Sequence, residues 1–269
     1  MAAGTLLAPP VGCRSVTAPV IPGAEPYSAV GDGRGALVLH GFTGNPQSMR
    51  GLAFALADAG FTVEMPLLPG HGTDISDMVE TRWEDWSAAA ETAYTELAAR
   101  SDAVVVVGLS MGGTLAVWLA ERHPEIAGLA VVNPLLSPPD EATVSFIEAM
   151  IEGGDEVAPG IGSDIAMEGA VESAYPGLPL RAVLSLFAAA TDVDAELESV
   201  TCPVLVFTSL QDHVVDPRSS ELLVARSKGP VEQVVLERSF HVATLDYDKD
   251  EIEVRTVEFV TGLLPAQRP

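Results

Sequence analysis

Cysteine is close to absent, with Cys13 and Cys202 the two that occur in 269 residues. Cys13 lies in a Pro/Gly-rich stretch and Cys202 opens the apolar run Cys202-Pro203-Val204-Leu205-Val206-Phe207. No disulfide framework is expected, and this usage suits a reducing, cytoplasmic compartment. Basic residues are scarce too. Lys and Arg total 14 against 38 Asp and Glu, a formal charge of -24, and a field of that sign repels phosphate backbones and anionic headgroups. Nucleic acid is therefore not an expected partner, and uncharged small molecules suit the surface better than anions. Apolar runs stay well short of the roughly 18 to 20 residues that span a bilayer, so no integral membrane association is expected. The start, Met1-Ala2-Ala3-Gly4-Thr5-Leu6-Leu7, has no basic residue and runs into Pro9-Pro10, unlike a secretory signal. No metal-ligand set or phosphate-cradling loop is present, so neither metal nor cofactor is expected.

What the chain does have is apolar material, 48% of its residues, enough for a sheet buried on both faces in one α/β domain. After a leader over residues 1–35, Ala36-Leu37-Val38-Leu39-His40 reads as a buried strand, and Asn45-Pro46 as a cap and first helical proline. Strands follow at 61–65, 103–107 and 128–132, with helices near 81–100 and 111–122 between them. Strands alternating with helices at this spacing imply a mostly parallel sheet flanked by helices. The alternation lapses over 134–200, where helical periodicity appears at 143–152 and 180–198. It resumes with strands at 204–208 and 231–236 and a last helix near 250–264. The expected organisation is a core of 36–133 and 201–269 interrupted by a small helical insertion.

Gly108-Leu109-Ser110-Met111-Gly112 is a G-x-S-x-G sequence placed where a strand ends and a helix begins. Glycines at 108 and 112 let the backbone turn sharply enough to present the Ser110 hydroxyl at the carboxyl edge of the sheet. A serine hydroxyl needs a base to become a nucleophile. Of the five histidines, His241 follows the last strand and completes the order serine, acid, histidine; His40, His71 and His123 read as loop or cap histidines, and His213 is too close to Asp212 to be oriented by it. The acid is sought in Ser209-Leu210-Gln211-Asp212-His213-Val214-Val215-Asp216-Pro217. Asp212 is favoured, since Asp216 stands before a proline, as a helix cap does. One amide donor for the oxyanion is Met111 N–H, directly after the nucleophile.

These motifs, with His40-Gly41-Phe42-Thr43-Gly44 and Leu68-Pro69-Gly70-His71-Gly72, resemble the bacterial carboxylesterase and monoacylglycerol lipase branch of the α/β-hydrolases over residues 36–264. The resemblance implies the α/β-hydrolase fold, Phe42 N–H as second oxyanion donor, a cap at 134–200 and hydrolysis of short-to-medium acyl esters or monoacylglycerols through an acyl-enzyme on Ser110. A thioesterase, a lactonase, a carbon-carbon bond hydrolase or a cofactor-free haloperoxidase would use the same triad, and a noncatalytic binding protein could share the fold. Oligomeric state is not legible. Within the insertion, Phe146, Ile147 and Met150 recur at helical spacing, as do Leu184 and Phe187, and these apolar faces are expected to line an acyl pocket.

Overall fold

Side-chain alternation along the strands decides the layers of the molecule. In the strand Arg34–Leu39 (β2), Leu37 and Leu39 enter one apolar cluster while Ala36 and Val38 enter the other. The strand Ala103–Leu109 (β4) does the same, with Val104 and Val106 on the first side and Val105 and Val107 on the second. A period of two with apolar residues at both phases buries both faces, as a parallel sheet sandwiched by helices requires. The computed structural model describes residues 18–266 apart from 138 and 161; Cys13 and residues 1–17 of the expected leader lie outside them.

The other strands are Tyr27–Ala29 (β1), Thr62–Met65 (β3), Gly128–Val132 (β5), Val204–Ser209 (β8) and Val231–Leu236 (β9), and the sheet runs β1-β3-β2-β4-β5-β8-β9. All neighbouring pairs are parallel except β1 with β3, where Tyr27 faces Met65. The leader expected over 1–35 therefore gives way, within its described part, to an antiparallel edge strand. Three residues carry too little pattern to announce it. On one side of the sheet lie helices Trp83–Ala98 (α3) and Met111–Arg122 (α4), contributing Trp86, Leu97 and Leu115. On the other lie Arg50–Asp58 (α1) and Lys249–Leu263 (α8), contributing Leu52, Leu56, Ile252 and Val260. Each such Val, Leu or Ile stabilises the fold by roughly 1.5–3 kcal/mol relative to its exposed state. A short helix, Ile75–Val79 (α2), lies in the connection from β3 to α3, and Arg218–Arg226 (α7) follows β8.

Between β5 and β8 the chain leaves the sheet. It forms helix Glu141–Glu152 (α5), a two-stranded antiparallel pair, Val157–Pro159 (β6) with Gly177–Pro179 (β7), and helix Leu180–Glu196 (α6). The helices match the periodicity, whereas the β-pair between them has too few residues to show one. Among the described residues no helix is long and apolar enough to cross a membrane.

Candidate active site

Ser110 joins β4 to α4 with φ 54° and ψ -118°, a conformation that side chains other than glycine's adopt only under strain. Its neighbours enforce it. A Cβ at Gly108 would stand 2.1 Å from the carbonyl oxygen of Gly112, and one at Gly112 would stand 2.2 Å from that of Leu39. The turn closes this tightly because both positions lack side chains. Ser110 N–H donates to the Val132 carbonyl at 3.0 Å, and the Ser110 carbonyl accepts from Thr114 N–H at 3.0 Å. The hydroxyl-bearing side chain is thereby held at the carboxyl end of the sheet, beside the first turn of α4, whose amide donors, including Met111 N–H, have no intrahelical acceptor.

His241 lies on the loop after β9. Its Nδ1–H donates to Asp212 Oδ2 at 2.7 Å, with the two side chains 8% and 2% exposed. The other oxygen of Asp212 accepts from Val214 N–H and Val215 N–H, each at 2.8 Å, so the loop after β8 fixes the carboxylate before it meets the imidazole. Asp216 instead accepts from Arg218 N–H at 2.9 Å, at the start of α7, the capping geometry read from its place before Pro217. The histidine loop is tied to the strand ends by Asn133, a residue that the sequence did not single out. Its side-chain amide donates to the His241 carbonyl at 2.8 Å and to Ser209 Oγ at 3.0 Å, while its oxygen accepts from Ser209 N–H at 2.8 Å.

The remaining histidines are engaged elsewhere. Leu68 N–H donates to His40 Nε2 at 3.1 Å, so the proton of that ring sits on Nδ1 and is donated to Gly41 O at 3.0 Å. Burial pushes this imidazole down to about 4, keeping it neutral. His71, buried edge-on to His40, Phe42 and Trp86, is lowered as well, first by burial and then by His40. The two neutral rings pack the loop carrying Phe42 against the Pro69-Gly70-His71 turn. His123 meets Glu91 and Glu125 at the surface, and His213 pairs with Asp164 at 2.8 Å.

Ser110, His241 and Phe42 border a cavity of about 160 Å³ whose walls include Leu135, Val183, Leu186, Phe187 and Val215. Of the residues expected to line it from the insertion, Phe187 does so. The others do not. Phe146 is 67% exposed on α5, Ile147 is buried with Leu180 and Val183, and Met150 and Leu184 pack around that small cluster. The apolar faces of α5 and α6 bury one another, so α5 forms an outer layer and α6 alone reaches the cavity; periodicity located the faces but not their partners. Glu172, Asp164 and Tyr175 also line the cavity and carry no sequence signal, because they sit in irregular chain between β6 and β7. Burial raises the Glu172 carboxyl above the ordinary carboxylate range, against the pull of the His241 charge and a Ser48 hydrogen bond. One of its oxygens occupies the place a Cβ at Gly44 would need.

A family described as serine aminopeptidase, S33, matches residues 34–248. The chain belongs to this family of α/β-hydrolases. It is 42% identical over 245 residues to a thermostable monoacylglycerol lipase of Bacillus sp. (strain H-257), covering 90% of this chain and 96% of that one. It is 25% identical over 241 residues to a carboxylesterase of Bacillus subtilis (strain 168), covering 89% and 97%. A solved structure from work on LipS and LipT, two metagenome-derived lipolytic enzymes, superposes with a TM-score of 0.87 at 42% identity, covering 91% of this chain and all of that one.

Proposed function

We propose that the chain hydrolyses uncharged carboxylic esters, short-to-medium acyl esters and monoacylglycerols in particular, through an acyl-enzyme on Ser110. The chain is an ester-cleaving serine hydrolase in family and fold, and the observation that carries the residue assignment is the buried His241–Asp212 pair at 2.7 Å bordering the same cavity as the strained Ser110 turn. His241 takes the Ser110 proton as the hydroxyl oxygen attacks the ester carbonyl; the amides of Phe42 and Met111 receive the oxyanion. Collapse of the tetrahedral intermediate expels the alcohol, which leaves with the proton from His241. Water, deprotonated by His241, then attacks the acyl-enzyme and frees Ser110. Asp212 holds the imidazole in the productive tautomer and stabilises its positive form.

The inserted segment serves as a cap, and its α6 face gives an apolar wall suited to an acyl chain. A cavity of ~150 Å³ accepts a six-carbon molecule such as benzene, so the 160 Å³ here fits a chain of that order. The Glu172 carboxyl, raised by burial, borders the same cavity and offers oxygens that accept from alcohol hydroxyls. The test is a panel of p-nitrophenyl esters, monoacylglycerols, acyl thioesters and lactones against wild type and Ser110→Ala, with fluorophosphonate labelling in parallel. Esters are expected to turn over fastest, and Ser110→Ala to lose labelling and at least about a thousandfold in kcat while folding normally. Turnover near wild type in folded Ser110→Ala removes the assignment; faster thioester or lactone cleavage moves the substrate class.

A further inference from the structure

Asp164 belongs to the inserted segment yet binds both loops that carry the acid and the base. Its Oδ2 accepts from His213 N–H at 3.1 Å and from His241 N–H at 3.0 Å. Its Oδ1 accepts from the His213 ring at 2.8 Å, and its own carbonyl accepts from Val242 N–H at 3.0 Å. The attachment is reciprocal, because Asp246, fully buried beyond His241, accepts from Ala166 N–H at 2.7 Å, Met167 N–H at 2.9 Å and Phe240 N–H at 2.9 Å. Two carboxylates, one from each side, therefore stitch residues 164–167 to the histidine loop.

We infer that Asp164 is a positioning residue for the acid–base pair: by bridging the backbone at His213 and His241 it sets the separation of Asp212 from the imidazole. The inference rests on the assignment of Ser110, His241 and Asp212 as the catalytic triad. The physical case is one of geometry. Asp212 is adjacent in sequence to His213, so a carboxylate holding the amides of both His213 and His241 constrains the two ends of the 2.7 Å Asp212–His241 contact. Charge-assisted bonds to a side chain only 10% exposed are among the stronger that a protein makes. Because Asp164 also borders the cavity, the same residue places the wall next to the acyl group and the base that acts on it. Without it, the histidine loop keeps its ties to Asn133, Ser209 and Asp246 but loses the bridge from His213 to His241, and misplacement on the scale of 1 Å costs a catalytic group roughly a hundredfold.

The experiment compares Asp164→Ala and Asp164→Asn with wild type and Ser110→Ala, using steady-state hydrolysis of p-nitrophenyl butyrate, thermal melts and the downfield proton NMR signal of the His241 Nδ1–H. Expected is a kcat about 10- to 100-fold lower in Asp164→Ala, with KM within about threefold and the downfield proton broadened. Asp164→Asn, which keeps the shape and one acceptor oxygen, recovers part of the loss and carries the test should the alanine variant fail to fold. A kcat within twofold of wild type in folded variants, a loss confined to KM, or an unaltered downfield proton overturns the inference. Failure of the triad assignment shows separately, as hydrolysis that survives in Ser110→Ala, and the NMR signal reports on Asp164 in either case.

Discussion

Two aspartates four positions apart show what residue type and spacing can settle. Asp212 and Asp216 both lie on the loop after β8, but one faces an imidazole and the other the first amides of α7. Asp212→Asn is therefore expected to lower kcat by about three to four orders of magnitude, since it unsettles the tautomer of His241 and removes the charge facing the imidazolium. Asp216→Asn keeps a capping acceptor and is expected to change kcat less than about threefold while shifting stability by under about 1 kcal/mol. Kinetics and melts of the two purified variants decide, and the reverse ranking would move the acid. This distinction was legible because proline marks a helix start. That Ser110 and His241 border one cavity was legible too, since a strand-to-helix turn and the serine, acid, histidine order are local or ordinal features. Asp164, Glu172 and Asn133 were not, because their places in the site arise from contacts with distant chain, 108 residues away in the case of Asn133 and His241, and nothing periodic surrounds the first two.

Among the elements, α5 and α6 divide what the sequence presented as one apolar lining. Phe187 of α6 faces the cavity, whereas Phe146 of α5 faces solvent. Each methylene buried in the cavity contributes about 0.8 kcal/mol, or roughly a fourfold rise in kcat/KM. Across p-nitrophenyl acetate to laurate, Phe187→Ala is expected to displace the optimum chain length and Phe146→Ala to leave it unchanged; equal profiles in both variants would sever α6 from substrate choice. The packing of α4 makes a separate prediction. Glu121, near its C-terminal end, has a carboxyl pushed up to about 8, first by burial and further by Glu196, with Arg122 opposing. One of its oxygens is buried with no hydrogen-bond partner. Since the folded protein holds this proton more tightly than the unfolded chain, stability falls as pH rises from the ordinary 4.5 towards 8. Glu121→Gln removes that penalty. It is expected to stabilise by about 1–2 kcal/mol at pH 8, with the gain shrinking towards pH 5, as urea titrations at the two pH values would show; a pH-independent difference would contradict it.

For the whole molecule, the charge of -24 acts as a self-repulsion that salt screens, the Debye length falling from ~30 Å at 0.01 M to ~10 Å at 0.1 M. The melting temperature is accordingly expected to rise by a few degrees between about 0.01 M and 0.3 M sodium chloride, and a flat response would show that local pairing has already compensated the charge. Most of the sheet was readable: β9 occupies the residues 231–236 that its pattern predicts, and β2, β4, β5 and β8 announce themselves by apolar runs. What escaped were β1, α2, β6 and β7, three to five residues each, which exist through pairing or packing with distant chain. The place of the segment between β5 and β8 bears on what could be exchanged there. It departs after β5 and returns before β8, two strands already paired to each other from Leu129 with Val204 to Val132 with Phe207, so a change in its length need not shift the register of the sheet. Bonded to the histidine loop through Asp164 and Asp246, however, it is not a free module: a segment grafted in its place has to supply acceptors and donors for that seam as well as a wall for the cavity.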